Sequence, residues 1–386
     1  MLAADKEVQH SNAPTHRPKR KVDFRQWLDQ EAPKLLILPT VLIILGLAIY
    51  PLLLSAYLAL SRFKLVRGGF ELKYVGFRNF EKLISGSQQY HFVGTLGEIL
   101  LWEWAIIAVV ISAFCYWLWR YFSAGKATII GAIGRLITVI VMSLLTILAF
   151  SVLNDTGRPG SLIVTLFYVF AGVSIQFAIA LGLALLCAQN IRGKNFFRMA
   201  FFIPIMVTPV GIAYAFRMMM DMSQGPFSPV WHLLGLGDFA WAGDAWLARW
   251  VVLLGDSWQW IPFLFMVLLA AIENQPKEQI EAAQLDGASS WRVFKDITFP
   301  AIAPVAATAV LIRLIEAFKI IDLPNILTNG GPGIATESMT LHSFIAWRTQ
   351  DLGGSAAVGY SLLFIAVVVC VSFFNFIGQR TTAKGV

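Results

Sequence analysis

Eight long apolar runs constrain the fold of this chain more than any other feature. A helix that crosses a bilayer needs about 20 mostly apolar residues, and each run is close to that length. Lipid offers no hydrogen bonds to backbone groups, so a run of this kind must satisfy them within its own helix. The sequence therefore predicts an all-α, polytopic membrane protein with about eight transmembrane helices. The runs cover residues 35–60, 99–119, 133–153, 162–188, 199–220, 250–272, 302–321 and 356–377.

Composition supports a membrane location and argues against a nucleic-acid partner. Hydrophobic residues make up 57% of the chain and charged residues only 14%, whereas average proteins are nearer half apolar and a quarter charged. The net charge of +7 is better explained by basic membrane flanks than by nucleic-acid binding, since no basic patch with interleaved aromatics occurs. We expect membrane lipid, and no nucleic acid, among the partners.

Both ends of the chain are expected on the cytoplasmic side. Residues 1–34 are polar and basic and lack the apolar core of a signal peptide. Within them, Phe24, Trp27 and Leu28 share one helical face, which indicates a short helix in the headgroup region. For the residues before Val22, a flexible tail is an equally good reading. The short tail at 381–386 carries Lys384. An even number of spans agrees with this arrangement.

One loop resists this topology. The loop 61–98 is expected outside the membrane, yet basic residues are normally concentrated in the inner loops. We keep the topology because that tendency is statistical. The basic residues of the loop are Arg62, Lys64, Arg67, Lys73, Arg78 and Lys82.

A polar stretch at 273–300, between two apolar runs, predicts a bent loop against the membrane face. Pro276 suits the first turn of a helix, where no backbone N–H is needed. Residues 277–285 are good helix formers. Gly287 then supplies a residue that tolerates positive φ just after the helix. We call this stretch the elbow.

The second half of the elbow is predicted to be another short helix. Ser289 or Ser290 can cap its beginning, and it is expected to run through Ile297. Pro300 would then open the next apolar run. Two short helices joined by a fixed bend suit docking rather than catalysis.

The elbow resembles the EAA loop of permease subunits from bacterial ABC importers, in their carbohydrate branch. Phe299 stands where Leu is usual, a change that keeps an apolar side chain. The matching residues are Glu281, Ala282, Ala283, Asp286, Gly287, Ala288, Phe294, Ile297 and Pro300. The resemblance implies a coupling helix that fits a cleft on a separate ATPase subunit. The coupling residues it implies are Glu281, Ala282, Ala283, Asp286, Gly287 and Ala288.

Other segments are similar to the same family and extend the resemblance over most of residues 35–380. The main departure lies at about 95–160, where two extra spans are inserted into the usual six. The similar segments are Leu38-Pro39, Tyr50-Pro51, residues 74–80, and Leu327-Thr-Asn-Gly-Gly-Pro-Gly333 with Thr336 and Glu337. The expected division is a cytoplasmic segment 1–34, a first span 35–60, a periplasmic loop 61–98, an inserted pair 99–153, a permease core 154–380 with the coupling loop 273–300, and a tail 381–386.

A charged stripe marks the end of the seventh run. Arg313, Glu316, Lys319 and Asp322 follow one another at three-residue steps. Charges at bilayer depth normally pair with one another or face water. The stripe is therefore either a ladder of ion pairs or a lining of the translocation path. The resemblance to maltose-type permeases places Lys319 and Ile320 near sugar contacts, with Glu316 one turn earlier.

A second set of path candidates combines aromatic, amide and hydroxyl groups, which suit sugar recognition. An interfacial aromatic belt with ordinary interhelical hydrogen bonds explains them as well. Prolines inside spans, which break helices, favour a path or hinge nearby. The candidates are Thr208, Tyr214, Trp258, Gln259, Tyr360 and Ser361, and the prolines are Pro204, Pro209 and Pro262.

Signals of catalysis are missing from the sequence. It contains no P-loop and no His-Glu-x-x-His, and its five histidines show no metal-ligand spacing. We expect no cofactor and no metal in this chain, with ATP and Mg²⁺ bound by the ATPase.

The resemblance implies a permease subunit of an importer in the bacterial inner membrane. A sugar or sugar derivative would arrive on an extracytoplasmic binding protein and cross by ATP-driven alternating access. The implied partners are a second permease subunit and two ATPase subunits. The alternatives are a self-contained ion-coupled transporter, which would need no elbow, and an intramembrane glycosyltransferase, which would need acidic metal-binding pairs that the sequence lacks.

Overall fold

The computed structural model describes residues 36–123, 128–154, 156–189, 193–235 and 240–382. The segment 1–34 lies outside them, together with its predicted interfacial helix, as do residues 383–386 of the tail. The chain divides into two compact units, Met1–Ser55 and Ala56–Val386. The described part of the first unit belongs to helix α1, Leu36–Ala59.

Helices make up most of the second unit. They are α2 (Arg78–Ile84), α3 (Gln89–Phe92), α4 (Leu101–Ser123), α5 (Ile129–Leu153), α6 (Ser161–Cys187), α7 (Lys194–Met206), α8 (Pro209–Met219), α9 (Ser228–Leu233), α10 (Ala245–Glu273), α11 (Lys277–Leu285), α12 (Ser290–Phe318), α13 (Asp322–Thr328), α14 (Met339–Arg348) and α15 (Leu352–Thr382). Two antiparallel ribbons lie in the loops: β1 (Ser61–Val66) with β2 (Gly69–Tyr74), and β3 (Gly94–Thr95) with β4 (Arg158–Pro159).

Seven helices in the described ranges are long and apolar enough to cross a membrane, namely α1, α4, α5, α6, α10, α12 and α15. A bent pair, α7 with α8, could supply one more crossing. The predicted all-α membrane fold is confirmed.

Pro209, one of three prolines predicted to break spans, does break the run 199–220. The other two, Pro204 and Pro262, lie inside α7 and α10. α7 and α8 meet at an angle of 101°. Thr208 is extended at the break, and its hydroxyl accepts a hydrogen bond from the Gly211 N–H. Pro209 follows as the first residue of α8. A capping threonine before a proline is a strong helix start, and the proline has no N–H with which to continue α7.

The α10 helix packs against α6, α7 and α12. Small buried residues face this contact, including Ala180 and Ala184 on α6 and Ala306 and Ala309 on α12. Small side chains let helix backbones approach closely, which is how helices pack where lipid provides no hydrophobic drive. Phe265 of α10 is fully buried in the same cluster.

The inserted helices α4 and α5 pack against each other, and α5 also packs against α15. The Thr138 and Ser372 hydroxyls form a hydrogen bond of 2.9 Å across the second contact. A hydroxyl pair of this kind joins helices in an apolar environment.

Candidate functional site

The elbow has the bend that its sequence predicts. Two residues after α11 ends, Gly287 adopts the left-handed conformation with φ of +80°. The Gly287 N–H donates to the Gln284 carbonyl at 3.0 Å, and the Ala288 N–H donates to the Ala283 carbonyl at 2.9 Å. These two bonds form a Schellman motif, which ends a helix and fixes the direction of the chain that leaves it.

The second half of the elbow starts as predicted but does not end as predicted. Ser289 caps it, and its hydroxyl accepts from the Arg292 N–H at 3.4 Å. The expected end at Ile297 is wrong, because α12 continues to Phe318 as one helix. A π-helical turn at Phe294–Thr298 widens the helix just before Pro300. The wider turn makes room for the Pro300 ring, which would otherwise clash with a backbone carbonyl of the preceding turn.

The elbow exposes carboxylates next to large apolar side chains. Leu285 is 90% exposed and Trp291 is 69% exposed in the single chain. Glu281 and Asp286 are also exposed, as is Ala282 beside them. Exposed large apolar groups within a polar surface are typical of a protein contact.

The base of the elbow is tied to the spanning helices. The Gln275 side chain donates to the Thr298 carbonyl at 3.1 Å, which joins the two ends of the elbow. Arg198 of α7 forms an ion pair with Glu273 at the end of α10. The same guanidinium donates to the Cys187 carbonyl of α6 at 3.3 Å. A displacement of the elbow would therefore be transmitted to α6, α7 and α10.

A buried polar network joins α6, α10 and α12. Arg313 is 1% exposed and forms an ion pair with Asp256, which is 3% exposed. Arg313 Nε also donates to Gln176 Oε1 at 2.7 Å, and Gln176 Nε2 donates to Asp256 Oδ2 at 2.8 Å. The guanidinium carbon lies 4.9 Å from the centre of the Trp260 ring. A charge at this depth is stable only with partners of this kind.

This network excludes the ion-pair ladder at Arg313, the first residue of the charged stripe. Arg313 is paired across helices rather than along its own helix. The next step of the ladder does exist, since Lys319 Nζ lies 2.6 Å from Glu316 Oε1. Ile320 is buried, and its carbonyl accepts from the Ser338 hydroxyl at 2.6 Å.

The remaining path candidates lie on three helices. Thr208 is at the break between α7 and α8, and Tyr214 is exposed on α8. On α10, Trp258 lies 6.0 Å from the Phe216 ring in an edge-on contact, while Gln259 is buried.

Two candidates lie apart from these, on α15. Tyr360 packs against the apolar cluster that contains Ala357 and Val358. The Ser361 hydroxyl donates to the Ala357 carbonyl at 2.9 Å. These contacts place both residues on a helix that packs against α12.

The segment after α13 is a tightly bonded loop. The Thr328 and Thr336 hydroxyls are 2.6 Å apart, and Thr336 also donates to the Gly331 carbonyl at 3.0 Å. Arg249 of α10 donates to the Ala335 carbonyl at 2.6 Å. The loop thus holds the first turns of α10.

The structure also brings together two histidines that are far apart in sequence. Glu337 lies 3.1 Å from His342 Nδ1 and 3.4 Å from His91 Nδ1. The sequence did not indicate this group, because His91 lies far from Glu337 and His342 along the chain. Within the described residues, no group of three His, Cys, Asp or Glu side chains has the geometry to hold a metal ion.

Comparison with known proteins identifies the family. Residues 180–383, more than half of the chain, match the family described as "Binding-protein-dependent transport system inner membrane component". The chain belongs to this family. It is therefore a membrane component of a transport system, which confirms the transporter interpretation over an enzymatic one.

Two relatives show the range of that family. The chain is 32% identical over 213 residues to the "Trehalose/maltose transport system permease protein MalF" of Thermococcus litoralis, covering 55% of this chain and 71% of that one. It is 28% identical over 234 residues to the "sn-glycerol-3-phosphate transport system permease protein UgpA" of Agrobacterium fabrum, covering 60% and 79%.

The fold is similar to that of solved transporters. A chain from a bacterial ABC transporter "involved in the import of the acidic polysaccharide alginate" matches with a TM-score of 0.63 and 16% identity, covering 92% of this chain and 99% of that one. A chain from an alginate transporter in complex with a periplasmic protein matches with a TM-score of 0.52 and 21% identity, covering 59% and 82%. These likenesses concern the fold alone.

Proposed function

We propose that this chain is the permease subunit of a bacterial ABC importer for a sugar or sugar derivative. The solute would arrive on an extracytoplasmic binding protein and cross by ATP-driven alternating access. Two relatives support the substrate class, because one is named as a trehalose/maltose permease and the other as an sn-glycerol-3-phosphate permease.

The elbow is the observation that carries this proposal. Its bend is fixed by a Schellman motif at Gly287, and it presents Leu285 and Trp291 to solvent. A rigid bend with protruding apolar groups suits insertion into a cleft of an ATPase subunit. Glu281 and Asp286 would accept charge-assisted hydrogen bonds from basic groups of that cleft. Two ATPase subunits would hold ATP and Mg²⁺, and a second permease subunit would complete the membrane domain.

The proposed path runs past the break between α7 and α8. Broken helices in transporters expose backbone groups at bilayer depth where they line a cavity. Thr208 lies at this break, and Tyr214 is exposed on α8. Trp258 is exposed on α10, where its ring contacts Phe216 of α8. We assign Glu316 and Lys319 to the same path, as a pair that opens when a polar solute passes.

An ion-coupled transporter gives no role to the elbow, and a glycosyltransferase is not favoured by any relative reported above. Neither alternative explains why α12 begins on the elbow and continues through the membrane to Arg313.

Co-purification tests the proposal. The tagged chain, extracted from native membranes, should bring down an ABC ATPase. Leu285→Arg should reduce the ATPase recovered by about tenfold or more, because it would bury an added positive charge without a partner in a cleft that already carries basic groups. Leu233→Arg is the matched control, since Leu233 is equally exposed at 86% but lies on α9. Equal recovery with both variants would contradict the proposal.

The solute class is tested on the reconstituted complex with its binding protein. Neutral sugars, polyols and acidic sugars are supplied in turn, and ATP hydrolysis is measured. We expect stimulation by at least one of them, and none when the binding protein is omitted.

A further inference from the structure

The hairpin formed by β1 and β2, residues 61–74, is an amphipathic ribbon. Its register pairs Arg62 with Lys73 and Lys64 with Glu71. Neighbouring residues of a strand point to opposite faces, so these four side chains share one face, with Arg67 at the turn. Val66 also lies on this charged face. The other face is mostly apolar, with Ser61 at its base. Its apolar residues are Phe63, Leu65, Phe70, Leu72 and Tyr74.

The apolar face of the hairpin is open. Leu65 is 66% exposed, Phe70 is 67% exposed and Tyr74 is 60% exposed. Phe63 and Phe70 stack on each other with ring centres 5.7 Å apart. An isolated two-stranded hairpin is marginally stable in water, so an apolar face of this size needs something to cover it.

The charged face carries an unfavourable arrangement. Arg62 lies directly opposite Lys73, and like charges in opposite positions destabilise a ribbon. The hairpin holds four cations against one carboxylate, Glu71. An anionic surface that the basic face contacts would offset this repulsion.

The base of the hairpin is fixed at the end of a spanning helix. Asn79 is buried, and its amide donates to the carbonyls of Ala59 and Ser61 at 2.8 and 2.9 Å. Gly353, at the start of α15, approaches the Ser61 carbonyl so closely that a Cβ there would lie 2.4 Å from the oxygen. Since α15 is a candidate membrane span that begins at Leu352, the hairpin starts beside the first turn of a spanning helix.

We propose that the hairpin lies in the membrane–water interface, with its apolar face in the acyl region and its basic face on anionic phospholipid headgroups. The surface that covers it is lipid rather than protein. Amphipathic elements with apolar side chains on one face and Lys or Arg on the other bind such interfaces. Each cation near an anionic surface adds to the attraction. The placement also accounts for the basic loop that resists the positive-inside tendency.

Photocrosslinking tests which surface covers the apolar face. The benzophenone amino acid p-benzoylphenylalanine is placed at Phe70 or, as the matched control, at Glu71, the next residue on the opposite face. The full transport complex is reconstituted with its binding protein in vesicles of equimolar phosphatidylcholine and phosphatidylglycerol. We expect phospholipid adducts at Phe70 and a yield several-fold lower at Glu71. Equal yields, or adducts at Phe70 with the binding protein or the second permease instead of lipid, would overturn the proposal.

The headgroup preference is tested through the basic face. In the chain labelled at Phe70, the ratio of phosphatidylglycerol to phosphatidylcholine adducts should exceed the vesicle ratio several-fold. The combined variant Arg62→Gln, Lys64→Gln and Lys73→Gln should bring it down to the vesicle ratio. Arg78→Gln, outside the hairpin, should leave it unchanged. A wild-type ratio equal to that of the vesicle would overturn the role assigned to the basic face.

Discussion

Gly287 is the residue on which the shape of the elbow depends most directly. A Cβ at this position would meet no atom within 4 Å, but the backbone φ of +80° is strained for any other residue. The strain costs about 1–2 kcal/mol. Gly287→Ala should therefore tilt the elbow and lower solute uptake several-fold, while the protein remains in the membrane at its normal level.

Gly359→Ala is the control for this substitution. Gly359 also has open space around the added Cβ, but it lies within α15 and its φ is not positive. Uptake into cells or vesicles, normalised to membrane protein, separates the two. Unchanged uptake in Gly287→Ala would show that the elbow tolerates a different bend.

Single residues also show what the sequence reveals and what it hides. Gly287 was predicted correctly, and Ser289 is one of the two predicted caps, because capping depends on neighbours in the chain. The Arg313 network was missed, because its partners Asp256 and Gln176 lie 57 and 137 residues away. The available signal was Asp256 itself, an acid inside the apolar run 250–272.

At the scale of helices, the Arg313 network joins the element that begins on the elbow to its two neighbours. Removing one member of a buried ion pair leaves an uncompensated charge and costs about 3–5 kcal/mol. Arg313→Met and Asp256→Leu should each lower the thermal unfolding temperature of the detergent-solubilised protein. The double variant should recover most of the loss, because an apolar pair of similar volume can replace a buried ion pair.

The double variant keeps one cost, the unpaired Gln176 carbonyl, since Arg313 is its donor. Gln176 Nε2 retains the Ser257 hydroxyl at 3.2 Å. If the double variant unfolds as early as either single variant, the ion pair does not hold α10 to α12.

Helix breaks, like helix caps, are easier to predict when they depend on neighbouring residues in the chain. The run 199–220 is broken at Pro209, as that proline predicted. The Thr208-Pro209 pair is a helix start by its own chemistry. Conversely, Pro300 suggested a boundary, but α12 continues through it and through Pro304. Apolar periodicity predicted where helices lie better than where they end.

At the scale of the whole molecule, the apolar runs predicted the class of fold because bilayer thickness sets the length of a span. The bent pair α7–α8 decides whether the number of membrane crossings is odd or even, and this can be tested. Seven straight spans lie in the described ranges, and α7 with α8 either makes an eighth crossing or enters and leaves on one side. With eight crossings, the chain before α1 and the chain after α15 lie on the same side.

We expect α7 and α8 to cross the membrane together, because the elbow follows them and must face an ATPase in the cytoplasm. If the segment before α1 is also cytoplasmic, α7 and α8 must together cross once for α10 to return the chain to that side. Green fluorescent protein fused before α1 or after α15 should therefore be fluorescent in both fusions. Alkaline phosphatase inserted at Gly68, in the hairpin turn, should be active outside. A dark fusion after α15 beside a fluorescent one before α1 would instead make α7 and α8 a re-entrant loop. The elbow would then lie outside, away from any ATP-driven partner.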